Sequence, residues 1–351
     1  MNSKAASRLL QLMLEDLPNQ DDIYQPTSFW AEASKPIVAD LQTHGFERFR
    51  SLPSALAYFV PTYGPPGNTL TAEEVQNLED KFLESNQRRS KKHSTLMHLL
   101  DGEMWALGDY RVAKAGDRQH EPPGLTSVSE SKVGHPAEHF CFEDRWFSRS
   151  FLNYLHGLVF LKQNVDSGKV RRVIEIGGGF GTLGEILHQV GDCAYVDVDI
   201  PPTAAVASYY LANQPGARVN SYSETRSLKT IPFPETGTQM VICPWQLPRL
   251  EGRADLLVNF ISFQEMEPHV VQNYLDHAIR LGCRYVLLRN LREGKGMKTD
   301  QRAVGVKTPL LGQDYDRFLP GYRLLGTNVF PFGYRTIDGF HSELRLYARS
   351  D

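Results

Sequence analysis

The spacing of hydrophobic residues changes along the chain, and the first third has the spacing of helices. Up to about residue 125, apolar side chains recur every three or four positions, as they do on one face of a helix. This pattern predicts helices over Ser7–Leu17, Ser28–His44 and Thr71–Asn86. Pro36 is expected to break the second helix, and Gly45 is expected to end it.

Beyond residue 147, short apolar runs alternate with helical stretches. Phe147–Asn164 predicts a helix that leads into this region. The predicted strands are Val173–Ile176, Ala194–Val198, Met240–Cys243, Asp255–Phe260 and Arg284–Arg289, and the predicted helices between them are Thr182–Val190, Thr203–Asn213 and His269–Leu281. Such alternation indicates a parallel sheet with helices on both faces. Tyr322–Val329 and Glu343–Ala348 are two further strands with no convincing helix between them, so we expect them to pair antiparallel.

These patterns divide the chain into three segments. We predict a helical N-terminal region over residues 1–125, a connector over 126–150 and an α/β domain over 151–351. The stretch from Gly116 to Pro136 carries several Gly, Pro and Ser residues, which is typical of a connector or of a loop over a site.

Composition narrows the classes of function. The chain has 351 residues, which is enough for one large domain and a smaller one, and its net charge of -3 argues against a nucleic-acid partner. None of the four cysteines forms a CxxC pair, and we expect no metal site. We see no signal-peptide pattern and no apolar stretch long enough for a bilayer, so we expect a cytoplasmic protein without a membrane partner.

A glycine-rich loop follows the first predicted strand. Glu175 ends that strand, and Gly177, Gly178, Gly179 and Gly181 lead into the next helix. Glycines let the backbone turn sharply and approach a ligand closely, and the amides of a helix N-terminus can face its polar end. The loop resembles the ExGxGxG motif of class I S-adenosylmethionine-dependent methyltransferases. That resemblance implies an S-adenosylmethionine cofactor, which the loop and Glu175 bind, and a Rossmann-like α/β fold with a seven-stranded sheet whose last strand is antiparallel.

Two other interpretations of the loop stay open. Gly179–Gly184 also reads GxGxxG, the dinucleotide fingerprint, which predicts an NAD(P)-dependent oxidoreductase. In that case Glu175 would be buried inside the strand with nothing obvious to pair it. The last possibility is a tight turn that binds nothing.

The next two strand ends offer further cofactor contacts. A carboxylate at the tip of the second strand can accept hydrogen bonds from ribose hydroxyls, and we choose Asp199 for this role with Asp197 in reserve. Asp199-Ile200-Pro201 resembles the Asp-Leu-Pro of small-molecule O-methyltransferases. After the third strand, Trp245 could pack on the purine and Gln246 could hydrogen-bond its edge, although a tryptophan is more often simple packing.

The fourth strand runs into the residues expected at the reacting end. Ser262 is expected to contact the cofactor, because ligands of open α/β sheets bind at the carboxyl ends of strands. Methyl transfer to a hydroxyl requires removal of its proton, and the candidate bases are Glu265, His269 and His341. Glu265 and His269 could instead only cap the helix that starts near Pro268. The Asn/Asp-Pro-Pro-aromatic motif of base N-methyltransferases is absent here.

Several stretches together resemble the sugar O-methyltransferase family found in bacterial natural-product and polysaccharide clusters. The matching pieces are Phe29-Trp30, Phe49-Arg50, Ser129-Glu130-Ser131, Gly134-His135-Pro136, Glu175–Gly181, Asp199-Ile200-Pro201, Trp245-Gln246-Leu247 and Ser262–Met266. The resemblance implies a sugar or glycoside hydroxyl as acceptor. Because the cofactor is expected along the tips of the first three strands, we expect the end of the fourth strand, the final hairpin and the N-terminal region to enclose the acceptor. The Gly, Pro and Ser content of Thr126–Pro136 is consistent with a lid, and the protein could be a homo-oligomer. A non-sugar small-molecule acceptor and a catalytically dead binding subunit remain alternatives.

Overall fold

The computed structural model describes residues 1–58, 72–85, 91–100, 102–118, 120–121, 123–191, 193–297, 305–336 and 338–350. The N-terminal region forms six helices within this part of the chain. They are α1 (Ser3–Asp16), α2 (Ser28–His44), α3 (Pro53–Tyr58), α4 (Ala72–Ser85), α5 (Lys91–Leu100) and α6 (Glu103–Gly116). The predicted helix over Thr71–Asn86 thus corresponds to α4, and its two end residues lie outside the described part.

Helix α2 is continuous, so the expected break at Pro36 was wrong. A proline removes one backbone hydrogen bond and crowds the preceding turn. Here Phe29, Ala33, Ile37 and Leu41, spaced one turn apart, are all buried. Burial of this apolar face stabilises the helix across the missing hydrogen bond.

The chain then enters an alternating α/β region. Its first elements are β1 (Phe140–Phe142), β2 (Arg145–Phe147), α7 (Arg149–Asn164), β3 (Arg172–Ile176), α8 (Thr182–Val190), β4 (Ala194–Val198), α9 (Thr203–Ala212), β5 (Val219–Asn220), α10 (Tyr222–Thr225), β6 (Ile231–Pro232) and β7 (Gln239–Ile242). The remainder comprises β8 (Leu250–Glu251), β9 (Leu256–Phe260), α11 (Pro268–Arg280), β10 (Tyr285–Leu291), α12 (Tyr315–Phe318), β11 (Tyr322–Asn328), β12 (Tyr334–Arg335) and β13 (His341–Arg349). The hairpin of β1 and β2 was not predicted from the sequence.

The main sheet has the strand order β11-β13-β10-β9-β3-β4-β7-β5, and β12 pairs with β13. From β10 to β5 all neighbours are parallel, whereas β13 is antiparallel to β10, β11 and β12. Without the two-residue strands β5 and β12, this is the predicted seven-stranded sheet with an antiparallel last strand. The class I methyltransferase fold predicted from the sequence is therefore confirmed.

The chain reverses its direction of travel through the sheet next to β3. It moves outward from β3 to β4 and β7, and then returns to place β9 on the other side of β3. A crevice forms outside the carboxyl ends of strands at such a switch point, and ligands of open α/β sheets bind there. The ends of β3 and β9 are therefore where a site is expected.

Each face of the sheet has its own apolar core. Leu9 and Met13 of α1 belong to the same core as α7, α9 and one face of the sheet. Leu275 of α11 and Tyr315 of α12 belong to the core on the other face. Helices α1, α2 and α6 of the N-terminal region thus share a core with the sheet.

A buried ion pair joins the N-terminal region to the connector. Arg50 and Glu130 are both more than nine-tenths buried, and the Arg50 guanidinium donates a hydrogen bond to the Glu130 carboxylate. Glu130 also accepts a hydrogen bond from the Ser148 hydroxyl at 2.9 Å, at the start of α7. The guanidinium lies 4.9 Å from the centre of the Phe180 ring, just after the glycine loop. This ion pair therefore connects the N-terminal region, the connector and the start of α7 next to the glycine loop.

We predict that Arg50→Met lowers the free energy of unfolding by about 3–5 kcal/mol, because it leaves the Glu130 carboxylate buried without its cation. Urea denaturation measures the change. Lys35→Met is the matched control, since Lys35 is 67% exposed in its pair with Glu32 and such surface pairs contribute about 0–1 kcal/mol. Equal losses in both variants would contradict the prediction.

Candidate active site

A cavity of about 760 Å³ opens at the carboxyl ends of β3, β4 and β9. The glycine loop after β3 forms its centre. One side is formed by the ends of β4 and β7 and by α11, and the other by α7 and the segment that leads into β13. Further lining residues are Gln25, Pro26 and Thr27, which precede α2, and Phe29 and Trp30 in its first turn.

Steric contacts or backbone conformation favour glycine at each position where the loop borders the cavity. Gly177 and Gly179 have φ angles of +69° and +64°, which favour glycine. A Cβ at Gly177 would lie 2.1 Å from the Ser262 hydroxyl oxygen, and one at Gly178 would lie 2.5 Å from an Asp197 carboxylate oxygen. These three glycines line the cavity, as predicted for a ligand-binding loop. Gly181 does not line it, because it turns the chain into α8 with a φ of +96°.

Glu175 lies beneath the loop and does not line the cavity, so the expectation of a direct ligand contact is not met. Its two carboxylate oxygens accept hydrogen bonds from the hydroxyls of Tyr154, at 2.8 Å, and Tyr195, at 2.6 Å. Burial raises the pKa of Glu175 to about 7, and the two tyrosine hydrogen bonds counteract part of that rise. The strand-end acid therefore supports the loop from below, and two tyrosines supply the partners that the sequence did not reveal.

Asp199 lies at the tip of β4 and lines the cavity. Its carboxylate accepts hydrogen bonds from the backbone amides of Gly179, at 2.9 Å, and Ile200, at 2.7 Å. Asp197 is fully buried and accepts from the Gly178 amide at 3.2 Å, while its other carboxylate oxygen has no partner among the described residues. The structure thus places Asp199, and not Asp197, where a ligand can reach it.

Burial raises the pKa of both Asp197 and Asp199, and the pKa of Asp197 is raised further by its proximity to Asp199 and Glu175. No lysine or arginine of the described chain forms an ion pair with any of the three carboxylates. The loop therefore covers a buried cluster of acidic groups that no lysine or arginine of the described residues pairs, and their raised pKa values favour the protonated, neutral form.

Trp245 and Gln246 do not line the cavity, which corrects the expected adenine contacts. The Trp245 indole donates a hydrogen bond to the Tyr222 hydroxyl at 3.2 Å. Gln246 accepts from the Cys243 amide at 2.8 Å and donates to the Thr225 hydroxyl at 2.9 Å. Both polar groups are satisfied inside the protein. The wall on this side is instead formed by Ile200, Thr203, Pro244, Val270 and Tyr274.

Thr203 is a cavity residue that the sequence analysis missed. It is 2% exposed, and its hydroxyl has no hydrogen-bond partner within the described ranges. The residue was assigned only to a helix start, because a threonine there usually serves as a cap.

The end of β9 is strained where it enters the cavity wall. Ile261 has a φ of +77°, which is unfavourable for a β-branched residue. Ser262 beside it lines the cavity as predicted, and its hydroxyl accepts a hydrogen bond from the Asn259 amide at 2.6 Å. The same hydroxyl donates to the Ile176 carbonyl at 3.2 Å. These hydrogen bonds hold the strained turn against the end of β3.

Of the three predicted bases, Glu265 is the one that lines the cavity. One of its carboxylate oxygens accepts a hydrogen bond from Lys295 at 2.6 Å, and the other accepts from the Trp30 indole at 3.0 Å. The Lys295 ammonium also lies 4.2 Å from the centre of the Phe29 ring. Neither Lys295 nor Trp30 was predicted as a site residue, because they reach Glu265 from distant parts of the chain.

The two histidines lie elsewhere. His269 is exposed in the first turn of α11 and does not line the cavity. His341 starts β13 and pairs with Glu293, with 2.7 Å between its Nδ1 atom and the carboxylate. Neither histidine therefore joins Glu265 in the cavity wall, although His269 is close to Glu265 in sequence.

The connector does not cover the cavity. The Ser129 and Ser131 amides donate hydrogen bonds to Gln189 and Glu185 of α8, at 3.0 and 2.7 Å, and residues 126–136 are not part of the cavity wall. The segment before α2 lines the cavity instead. The Thr27 hydroxyl in this segment donates a hydrogen bond to the backbone carbonyl of Glu265 at 2.8 Å. The expectation of a lid in the connector was wrong, because backbone amides of the connector are hydrogen-bonded to side chains of α8.

Within the part of the chain that the structure describes, no group of three or more His, Cys, Asp or Glu side chains is arranged to hold a metal ion. The four cysteines are free thiols. None of the described helices is both long and apolar enough to cross a bilayer.

The sequence matches no protein-family model and no curated protein. Solved structures of methyltransferases are distantly similar. Magnesium protoporphyrin IX methyltransferase from Synechocystis PCC 6803, with bound SAM, shares 15% identity over 57% of this chain and 81% of its own, with a TM-score of 0.38. The glycopeptide N-methyltransferase MtfA with S-adenosyl-L-methionine shares 12% over 56% and 92%, with a TM-score of 0.36. An O-methyltransferase family protein from Burkholderia thailandensis shares 15% over 58% and 59%, with a TM-score of 0.35. At these scores the fold rests on the strand order of the chain itself.

We predict that the free energy of unfolding of the ligand-free protein falls as pH rises from about 4.5 to 7, partly because of Glu175. Folding raises the pKa of this carboxyl from 4.5 to about 7, so the folded state binds the proton more tightly than the unfolded state in that range. The cost of the buried charge is fully present above pH 7 and absent below pH 4.5. Glu175→Gln removes the titration and should flatten the curve by an amount on the order of 1–3 kcal/mol.

Urea denaturation of both proteins between pH 4.5 and 8 measures this difference. Glu185 has a pKa that burial also raises to about 7, so the comparison between wild type and Glu175→Gln isolates the contribution of Glu175. Parallel curves for the two proteins would show that Glu175 does not titrate as described.

Proposed function

We propose that the protein is an S-adenosylmethionine-dependent O-methyltransferase that acts on a hydroxyl of a sugar or glycosylated small molecule. The observation that carries the proposal is the arrangement of Asp199 beside the Gly177–Gly179 loop, at the switch point of a methyltransferase-type sheet. The cavity continues past the loop to Glu265, which leaves space for an acceptor next to the cofactor.

The residues at the loop fit the proposed cofactor. A Cβ at Gly177 or Gly178 would collide with neighbouring atoms, so the bare backbone is available to a ligand. Asp199 would accept hydrogen bonds from the ribose hydroxyls, and Ile200 and Pro244 would pack against the adenine. S-adenosylmethionine supplies an activated methyl group on a positively charged sulfur. The buried acidic groups near the loop have raised pKa values, and a cation bound beside them would lower those pKa values and be attracted by the ionised carboxylates.

Glu265 would act as the base. As the acceptor oxygen forms its bond to the methyl carbon and the carbon–sulfur bond breaks, the hydroxyl proton passes to a Glu265 carboxylate oxygen. The carboxylate has lone pairs beyond those used by Lys295 and Trp30, so it can accept a further hydrogen bond. The two contacts fix the orientation of the carboxylate, which lowers the entropic cost of reaching a reactive geometry.

The walls around Glu265 support a sugar-like acceptor. Trp30, Tyr58 and Phe340 offer aromatic surface for the CH face of a ring, and Thr336 and Ser342 offer hydroxyls. A phenol or another non-sugar hydroxyl compound fits the same proton transfer and remains the alternative acceptor. The sugar assignment rests on this composition and on the sequence resemblance.

We predict that calorimetry detects binding of S-adenosylmethionine and S-adenosylhomocysteine and none of NADH or NADPH. Asp199→Ala should weaken S-adenosylhomocysteine binding by about 1.5–3 kcal/mol, the range for a lost hydrogen bond to a charged group. Asp197→Ala, which removes a carboxylate outside the cavity wall, should weaken it less. Tight NADH binding without a response to the sulfur nucleotides would establish the dinucleotide interpretation instead.

A second prediction concerns the base. Glu265→Gln keeps the shape of the side chain and removes its basicity, so kcat should fall by about 100- to 10,000-fold while the affinity for S-adenosylmethionine stays nearly unchanged. Turnover is measured as S-adenosylhomocysteine release over a panel of methyl glycosides and phenols. Glu267→Gln is the matched control, because Glu267 hydrogen-bonds Ser28 and does not line the cavity.

His269→Ala and His341→Ala should also retain the wild-type kcat, since neither histidine lines the cavity. Full activity of Glu265→Gln would mean that alignment alone drives the reaction. Transfer to phenols and to no glycoside would establish the non-sugar alternative.

A further inference from the structure

Asn153 has a side chain that the protein leaves without a partner. It lies on α7, lines the cavity and is 3% exposed. Its side-chain oxygen is buried and accepts no hydrogen bond from the described residues. The amide nitrogen donates none to them either. A buried amide without hydrogen bonds is unfavourable, and an apolar side chain at this position would cost the fold less.

The position of Asn153 is fixed although its side chain is not bonded. The Arg289 guanidinium donates one hydrogen bond to the backbone carbonyl of Asn153 at 3.1 Å and another to the backbone carbonyl of Phe332 at 2.8 Å. It thereby joins α7 to the segment that leads into β12. The backbone of Asn153 is therefore held in place before any ligand arrives.

This hydrogen bond places Asn153 within reach of a side chain from β10, on the side of the glycine loop away from β4. Arg289 belongs to β10, and β10 is separated from β4, which carries Asp199 at its tip, by β9 and β3. Three strand spacings amount to about 14 Å. The segment that Arg289 holds continues into Tyr334 and Thr336, which line the cavity at the end away from Asp199.

We propose that the side-chain amide of Asn153 binds a hydroxyl group of the acceptor, next to the hydroxyl that receives the methyl group. An amide has both donor and acceptor atoms, and a hydroxyl both donates and accepts, so the two groups are complementary. The unsatisfied amide would then select acceptors that carry such a group, because an acceptor without it leaves the amide buried and unpaired. This assignment rests on the proposed methyl transfer to a polyhydroxylated acceptor.

The test compares Asn153→Ala and Asn153→Leu with wild type in the full-length protein loaded with S-adenosylhomocysteine. Gln163→Ala is the matched control, because Gln163 is exposed on the same helix and bonds only the Gly116 carbonyl. Saturation-transfer NMR measures binding of the methyl glycosides of glucose, galactose, mannose and rhamnose. Calorimetry measures the Kd of S-adenosylhomocysteine, and thermal unfolding measures the Tm.

We expect the Asn153 variants to bind the best glycoside about tenfold more weakly than wild type and Gln163→Ala, as for one lost hydrogen bond in a buried site. The Kd of S-adenosylhomocysteine should change by less than about twofold. The Tm should not fall, because the side chain makes no hydrogen bond in the folded protein. A purely structural role would instead lower the Tm and leave glycoside binding unchanged.

Other outcomes overturn the proposal in distinguishable ways. Weaker S-adenosylhomocysteine binding in both Asn153 variants would assign the amide to the cofactor. Unchanged glycoside binding would show that the amide does not recognise the acceptor. A wild-type protein that binds S-adenosylhomocysteine and none of the glycosides would contradict the hydroxyl assignment alone, whereas failure to bind S-adenosylhomocysteine would contradict the proposed function as well.

Discussion

The site depends on acidic groups buried directly against the backbone of Gly178, where there is no space for a side chain. Gly178 packs so closely on Asp197 and Glu175 that a Cβ would lie within 2.9 Å of both carboxylates. The loop amides of Gly178 and Gly179 point their hydrogens at Asp197 and Asp199. The acids that shape the loop are therefore held by its backbone amides and by burial, and Asp199 is the one of them that lines the cavity.

This constraint extends from the loop to the helices around it. Glu175 stays buried because Tyr154 of α7 and Tyr195 of β4 donate hydrogen bonds to it. The Tyr154 ring in turn stacks on Phe260 at the end of β9, with 5.0 Å between ring centres. The position of α7 across the sheet is thus coupled to the carboxyl below the loop, and α7 also carries Asn153, the residue before Tyr154, in the cavity wall.

The fold could be predicted from the sequence to a large extent, because its signals are local. The predicted strand Val173–Ile176 lies within Arg172–Ile176, and the predicted helix His269–Leu281 nearly coincides with Pro268–Arg280. A buried parallel strand is a short apolar run, and a surface helix repeats its apolar positions every turn. The hairpin of β1 and β2 has strands of only three residues each, which is too short for such a pattern.

The site was less predictable, because its contacts join residues far apart in sequence. The loop glycines, Asp199, Ser262 and Glu265 were chosen from their places at strand ends, and all but Gly181 line the cavity. Trp245 and Gln246 also follow a strand. Their side chains instead donate hydrogen bonds to Tyr222 and Thr225 inside the protein. Trp30 and Lys295 reach Glu265 across 235 and 30 residues, and no periodicity encodes such a meeting.

The cavity is also where the chain departs from the rules that stabilise the rest of it. Ile261 holds a left-handed conformation, one oxygen of Asp197 has no partner in the described chain, and Thr203 and Asn153 keep buried polar atoms unbonded. Each of these features is unfavourable in the ligand-free protein. They are tolerated because two apolar cores, one on each face of the sheet, stabilise the surrounding structure. A polar ligand that satisfied the buried groups of Thr203 and Asn153 would therefore offset part of this cost on binding, since both residues belong to the cavity wall.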